Sequence, residues 1–266
     1  MIPRKIIIRG AGDLATGVAH RLWNSGFSVV MLELPEPLVV RRTVSFASAV
    51  YDGEITVESI TAKLCPRSEQ IDQYLAQNIV PVLIDPDGTL LADTKPPVLI
   101  DAVMTKNNVM TGIDQSELVI GLGPGFTAGT DVHAIIETER GHNLGKVIYS
   151  GRAAADTGSP GFIGGYSTER LLRAPHSGCF EPKKDIGDIV KEGETVALVN
   201  STEIRAAING LIRGMLQAGI VIKSGTKVGD IDPRGKQVDF HSISDKARAV
   251  GGGVLEAILH YYFYTE

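Results

Sequence analysis

Cysteine is scarce in this chain of 266 residues, which contains only Cys65 and Cys179. The two residues stand more than one hundred positions apart, and no C-x-x-C pair is present. This spacing argues against a disulfide framework and against a structural zinc site. We therefore expect no metal site, and a reducing, cytoplasmic location.

Clusters of basic residues and long apolar runs are missing as well. The formal net charge is -5, and lysine and arginine occur in short pairs such as Arg41-Arg42. A protein that binds duplex nucleic acid usually presents a basic face, so we do not expect nucleic acid as a partner. The N-terminal apolar run Ile6–Ile8 is too short for a signal peptide, and no run approaches the roughly 20 apolar residues that span a bilayer. We expect no membrane association.

Two common catalytic signatures are absent from the sequence. It contains neither a G-x-S-x-G nucleophile elbow nor a Walker A motif. The first presents a serine nucleophile, and the second holds nucleotide phosphates beside a lysine. Serine hydrolysis and P-loop phosphoryl transfer are therefore not supported.

Glycine, by contrast, is abundant. The chain has 30 glycines, about 11% against a usual value of about 7%. They follow no collagen-like period, so they belong to specific turns, where glycine permits positive φ or close backbone approach.

The first glycine-rich turn has the features of a dinucleotide-binding unit. The apolar strand Ile6–Ile8 precedes the segment 10–15, which reads GAGDLA, and a helical pattern follows. Glu33 ends the next apolar strand, about 20 residues on, where an acidic residue binds a ribose hydroxyl. Asp13 fits less well, because its charge at the helix start repels phosphate; it is also a candidate helix cap. The residues assigned to a cofactor here are Gly10, Gly12, Asp13, Ala15 and Glu33.

Further apolar runs extend this unit into a larger α/β domain. Strands are predicted at 81–84, 98–101, 118–120 and 132–136, with helices between several of them, which favours a mainly parallel sheet. After about residue 172 the runs become short and evenly spaced, as in a small β-barrel or sandwich. We predict a Rossmann-like domain over 1–172, an all-β module over 173–235, and a C-terminal helix over 236–266 that packs back on the first domain.

A second set of candidate residues follows the later strands of the predicted sheet. The glycine-rich loop over 121–129 contributes Gly121, Gly123 and Gly125 as anion or ligand contacts, with a glycine-lined crossover as the alternative. Arg140 is a candidate phosphate or carboxylate clamp. The candidate catalytic residues are Asp101, Lys106 and His142, at strand ends where open α/β sheets bind ligands.

Four motifs together resemble one protein family. They are GAGDLATG at 10–17, RRTVSF at 41–46, GLGPGF at 121–126 and ETERGH at 137–142. This combination resembles the accessory proteins of selenium-dependent molybdenum hydroxylases, the xanthine-dehydrogenase type. The resemblance implies a maturation function, a molybdopterin-type cofactor or dinucleotide as ligand, and a molybdenum hydroxylase as the client protein.

The second module resembles another known architecture, the biotinyl/lipoyl-type barrel-sandwich hybrid. The segments 187–193 (GDIVKEG) and 206–212 (AAINGLI) fit its two halves. A carrier domain of this type displays a lysine on the hairpin between them. Here that hairpin, 199–204, reads VNSTEI and contains no lysine, so a structural or docking role is expected.

Two other functions remain open at this stage. The first fingerprint and Glu33 also suit an NAD-dependent oxidoreductase of a small substrate. Alternatively, the glycine loops are only tight turns of a non-catalytic interaction protein. A maturation protein and an oxidoreductase would both have a small nucleotide-like ligand as partner. The formation of a homo-oligomer is left open.

Overall fold

The computed structural model describes residues 2–105, 107–108, 110–156, 158 and 161–264. The chain forms two compact units. Unit 1 comprises Met1–Pro37, Ser45–Thr157 and Ile243–Glu266, and unit 2 comprises Leu38–Val44 and Gly158–Ser242. The predicted boundaries at 172 and 235 stay a prediction.

Unit 1 is built on a nine-stranded sheet with helices on both faces. Its strands, in chain order, are β1 Lys5–Arg9, β2 Ser28–Glu33, β3 Glu54–Val57, β4 Ile60–Leu64, β5 Ile79–Ile84, β6 Val98–Asp101, β7 Leu118–Leu122, β8 Ala134–Ile136 and β9 Val147–Ile148. Its helices are α1 Asp13–Asn24, α2 Ala49–Asp52, α3 Ile71–Ala76, α4 Thr89–Thr94 and α5 Asp245–Tyr264.

The strand order of this sheet is β3-β4-β5-β2-β1-β6-β7-β8-β9. All pairs from β4 to β8 are parallel, and β3 and β9 add antiparallel edges. The order β5-β2-β1-β6-β7-β8 is that of a doubly wound sheet. Successive strands are added on one side of β1 and then, from β6, on its other side, so the strand order reverses between β1 and β6. Ligands bind such sheets outside the carboxyl ends of the strands at that reversal, here between β1 and β6.

Continuous apolar runs form the central strands because both faces of the sheet are covered. On one face, Ile7 and Leu99 pack with Ile71 of α3 and with Leu90 and Leu91 of α4. The other face is covered by α1, which contacts β1 and β2, and by α5, which contacts β7, β8 and β9. The central strands are therefore packed on both faces, and this packing positions the residues at their carboxyl ends.

Glycines allow α5 to approach its neighbours at backbone distance. A Cβ placed on Gly251 lies 2.9 Å from the carbonyl oxygen of Gly17 in α1. One placed on Gly253 lies 2.1 Å from the carbonyl oxygen of Gly145. Any side chain at these two positions would force the backbones apart, so the glycines permit the close packing of α5.

Unit 2 contains two four-stranded antiparallel sheets. Their orders are β10-β17-β15-β12 and β14-β13-β11-β16. The strands are β10 Leu171–Arg173, β11 Gly178–Pro182, β12 Ile189–Val190, β13 Thr195–Val199, β14 Thr202–Arg205, β15 Gly210–Met215, β16 Val221–Ile222 and β17 Lys227–Asp232. Segment Leu38–Val44 joins this unit through the backbone: Met215 N–H donates to the Val40 carbonyl at 2.8 Å.

The mixed α/β class, the large mainly parallel sheet, the antiparallel sheets that follow it and the C-terminal helix are confirmed. The strand predicted over 132–136 is shorter and begins at Ala134, because Val119 N–H in β7 donates to the ring Nδ1 of His133 at 3.0 Å instead of to a backbone carbonyl of this segment. Within the described residues, unit 2 contains no closed barrel. The described part of the chain also contains no helix with the length and apolarity to cross a membrane.

Candidate functional site

A crevice opens at the carboxyl edge of the sheet, where β1, β2, β5 and β6 end. It encloses about 190 Å³ and lies at the reversal point of the doubly wound order. Its polar lining comes from Arg9, Glu33, Asp85 and Asp101, and its apolar lining includes Leu34, Pro86, Val103 and Met110. A drug-sized pocket usually has about 300–1,000 Å³, so this crevice suits one part of a ligand, such as a nucleoside.

Glu33 is held in the crevice by two backbone donors. One carboxylate oxygen accepts from Ala11 N–H at 2.7 Å and the other from Leu34 N–H at 2.7 Å. Burial raises the pKa of Glu33, while these two hydrogen bonds act in the opposite direction. Each carboxylate oxygen retains acceptor capacity for a ligand hydroxyl.

Asp101 is buried and fully engaged by its surroundings. One oxygen accepts from Val103 N–H at 3.0 Å, and the other accepts from the Thr111 hydroxyl and from Arg9 Nη1 at 3.5 Å. Asp101 thereby ties the start and the end of the segment after β6 to the central strand β1. The catalytic role expected of Asp101 stays a prediction.

The turn between β1 and α1 has the geometry that its glycines predict. Gly10 has φ +89°, and a Cβ on it would lie 3.0 Å from the carbonyl oxygen of Ala102. Gly12 is the N-cap of α1, and no side chain caps the helix there. Asp13, in the first turn, accepts from Leu14 N–H at 3.0 Å, so the alternative that Asp13 is the cap residue is wrong. Ala15 is buried in the helix.

The second glycine-rich loop has a local packing explanation. A Cβ on Gly121 would lie 2.5 Å from the ring of Phe126, and one on Gly123 would lie 2.5 Å from the Thr138 hydroxyl. Gly123 and Gly125 also have positive φ, at 69° and 111°. These glycines let the loop fold back on Phe126, and their predicted ligand contact stays a prediction.

Charged residues near the start of α5 form a separate cluster. Arg140 makes two hydrogen bonds to Asp245, at 2.7 and 2.9 Å. The buried Glu137 accepts from the backbone N–H groups of residues 138, 139 and 154. Lys246 is half-buried, and burial lowers its pKa while Asp13 and Glu137 act to raise it. His142 lies exposed on the turn after Arg140.

The structure brings Gly10, Glu33 and Asp101 together at the crevice, and it places Asp13 and Arg140 in the second cluster. Lys106 lies outside the described residues. Among the described residues, no group of three histidine, cysteine or acidic side chains is arranged to hold a metal ion.

Sequence reasoning missed Arg9 and Lys246. Arg9 is a cation at the carboxyl end of a buried strand, immediately before the glycine turn. Lys246 is a cation in the first turn of a helix, where the helix dipole disfavours it. A cation at either position is unfavourable unless an anionic or polar partner is near. This cost is the sequence signal from which Arg9 and Lys246 could have been recognised as candidate site residues.

No family model matches the chain. A curated relative, "Uncharacterized protein YqeB" of Escherichia coli (strain K12), is 51% identical over 254 residues, which cover 96% of this chain and 47% of the relative. The chain thus spans about half the length of the relative it matches.

The solved structures found are distant. A succinylglutamate desuccinylase from Silicibacter sp. TM1040 is 14% identical, with 86% of this chain and 84% of that chain covered and a TM-score of 0.26. An aspartoacylase family protein from Mesorhizobium loti is 13% identical, with coverages of 79% and 58% and a TM-score of 0.25. Product-bound ectoine utilization protein EutE (DoeB) from Ruegeria pomeroyi is 13% identical, with coverages of 85% and 56% and a TM-score of 0.24. These scores are too low to transfer an activity.

The comparisons correct the resemblance drawn from the four motifs. The structures found are desuccinylase and aspartoacylase proteins, and the sequence relative has no assigned activity. No comparison supports the assignment to the accessory proteins of selenium-dependent molybdenum hydroxylases or the maturation function, and both are withdrawn; the hydroxylase client stays a prediction. Packing explains the motif residues locally: Gly121 makes room for Phe126, and Arg140 pairs with Asp245.

Proposed function

We propose that unit 1 binds a nucleotide of the dinucleotide class in the crevice at the carboxyl edge of its sheet. The observation that supports this proposal best is the position of Glu33. Its carboxylate lies beside apolar walls at the reversal point of the doubly wound order, next to the turn that begins α1. A carboxylate at this position accepts hydrogen bonds from ribose hydroxyls in dinucleotide-binding sheets.

The remaining parts of the ligand follow from this placement. The base occupies the apolar part of the crevice, between Leu34 and Val103. The phosphates extend toward the start of α1, where no side chain caps the helix at Gly12. Lys246, whose charge acts on Asp13, offsets the repulsion between that carboxylate and a phosphate.

The charge of Glu33 predicts a preference within this ligand class. A carboxylate at the ribose repels a 2′-phosphate, so NAD should bind more tightly than NADP. Glu33→Gln should weaken NAD binding and narrow the difference between the two ligands, whereas Glu36→Gln, on the exposed loop after β2, should change neither.

Isothermal titration calorimetry with NAD and NADP measures these differences directly, and thermal shifts give an independent check. A ligand that binds only the folded protein stabilises it by about 2.7 kcal/mol at 100 times its Kd. If no mono- or dinucleotide at millimolar concentration raises the melting temperature, the proposal fails.

For unit 2 we propose the finer architecture of a barrel-sandwich hybrid that serves as a docking module. Its paired antiparallel sheets and the β13–β14 hairpin support this assignment. The hairpin turns at Asn200 and Ser201, where a carrier domain of this type displays lysine. Ser201→Lys should create an acceptor for a lipoyl or biotin ligase, detected by mass spectrometry, while the unaltered chain stays unmodified. Absence of modification in the variant would count against the assignment.

A further inference from the structure

The guanidinium of Arg9 faces the crevice with part of its donor capacity unused. Arg9 is the last residue of β1, and its side chain is only 12% exposed. Its Nη1 donates to the Thr111 hydroxyl at 2.7 Å and approaches Asp101 at 3.5 Å. Asp101 and Thr111 thus fix the plane of the guanidinium from one side.

The other terminal nitrogen is poorly satisfied. Among the described residues, the acceptor that Arg9 Nη2 meets is the thioether sulfur of Met110, at 3.5 Å. Sulfur is a weak acceptor, whereas arginine has five N–H donors and no acceptor of its own. This contact lies on the exposed side of the guanidinium, so the nitrogen is accessible to a ligand that brings a better acceptor into the crevice.

The charge balance of the crevice determines which acceptors are suitable. Three carboxylates, those of Glu33, Asp85 and Asp101, line the same cavity as the single guanidinium. A dianionic phosphate placed there would be repelled by this excess of negative charge. The acceptors that meet Arg9 must therefore be neutral, such as a carbonyl oxygen or a ring nitrogen.

We propose that Arg9 recognises the base of the nucleotide and selects an oxopurine, of the guanine or hypoxanthine type, over adenine. The N7 and O6 atoms of an oxopurine are two adjacent acceptors that match the arginine fork. Adenine offers N7 beside an amino group, which is itself a donor and opposes a guanidinium. This inference rests on the proposed nucleotide site and specifies its base. NAD and NADP both carry adenine, so in that site they serve only as a matched pair that isolates the effect of the 2′-phosphate, and an oxopurine nucleotide should bind more tightly than either.

Comparison of IMP with AMP tests the inference in the unaltered protein. The two ligands have the same ribose and phosphate and differ at C6 of the purine, where IMP has an oxo group and AMP an amino group. Calorimetry should show that IMP and GMP bind at least about tenfold more tightly than AMP, which corresponds to about 1.4 kcal/mol.

Variants then assign the preference to Arg9. Arg9→Lys keeps the charge and removes the planar fork, so it should reduce the ratio of IMP to AMP affinity to near one. Lys5→Met, at the exposed amino end of the same strand, removes a charge outside the crevice and should leave the ratio unchanged. Because the ligand comparison uses the unaltered chain, a variant that fails to fold does not block the test.

The outcomes separate the two proposals. Equal affinities for IMP and AMP, or tighter binding of AMP, would overturn the role of Arg9 while leaving a nucleotide site in place. An unchanged ratio in Arg9→Lys would overturn it as well. If none of these nucleotides binds, both the base preference and the proposed nucleotide site fail.

Discussion

Two adjacent glycines of α5 should respond in opposite ways to the same substitution. A Cβ on Gly252 meets nothing within 4 Å, whereas a Cβ on Gly253 lies 2.1 Å from the carbonyl oxygen of Gly145 and 2.9 Å from Ile136 Cγ2. Gly252→Ala therefore gains helix propensity without a clash, worth about 1 kcal/mol. Gly253→Ala gains the same propensity but must move the helix away from a backbone oxygen.

The displacement can be worked out from the structure. Real Cβ atoms essentially never approach closer than 3.0 Å, so a distance of 2.1 Å leaves a deficit of 3.0 − 2.1 = 0.9 Å. The opposing atom belongs to the backbone, so it cannot rotate out of the way. Overpacking of a core usually costs about 1–3 kcal/mol and occasionally more, and we expect a net loss of at least about 2 kcal/mol for Gly253→Ala.

The single tryptophan of the chain provides a probe of unit 1. Trp23 lies in α1, the helix that packs against α5, so its fluorescence follows the unfolding of this unit. At about 2–4 °C per kcal/mol, Gly252→Ala should raise the midpoint of thermal unfolding by about 2–4 °C. Gly253→Ala should lower it by about 4 °C or more. Shifts in the same direction for both variants would refute the proposed packing of α5.

Two further predictions concern ionisable groups. In unit 2, Arg170 and Asp230 form a buried ion pair at 3.1 Å, so Asp230→Asn should lower the free energy of unfolding by about 3–5 kcal/mol. Glu203 pairs with Arg205 on the surface, and Glu203→Gln should lower it by less than about 1 kcal/mol. Urea denaturation measures both losses. In unit 1, burial raises the pKa of Glu33 above its ordinary 4.5, so the folded state binds this proton more tightly and loses stability as pH rises through that window. Glu33→Gln should therefore gain stability relative to the unaltered protein as pH rises above 4.5; a constant difference would contradict the burial of this carboxyl group.

Local signals made the first part of unit 1 predictable from the sequence. The apolar run of β1, the glycine turn and Glu33 at the end of β2 lie within about 30 residues, and their interactions are determined by that short segment. Gly10 needs its positive φ because of the turn itself. The short helices α2, α3 and α4 carry weaker signals, because four to six residues give little periodicity.

Long-range contacts made the rest unpredictable. The membership of Leu38–Val44 in unit 2 depends on the hydrogen bond from Met215 to Val40, which joins positions 175 residues apart. The close packing of Gly253 on Gly145 likewise depends on where the last helix returns to the sheet. No property of either segment alone specifies its partner.

The candidate site shows the same division between local and distant information. Sequence position indicated Asp101 and Arg140 as candidates. In the structure, Asp101 accepts hydrogen bonds from Val103 N–H, the Thr111 hydroxyl and Arg9. Arg140 is hydrogen-bonded to Asp245. Arg9 and Glu33, in contrast, reach the crevice with donor or acceptor capacity that the described residues leave unused. Unused capacity on a fixed, partly buried side chain indicates a ligand contact more specifically than a strand-end position does. Both residues lie on adjacent strands, β1 and β2, so a single nucleoside between them would satisfy the donor and the acceptor together.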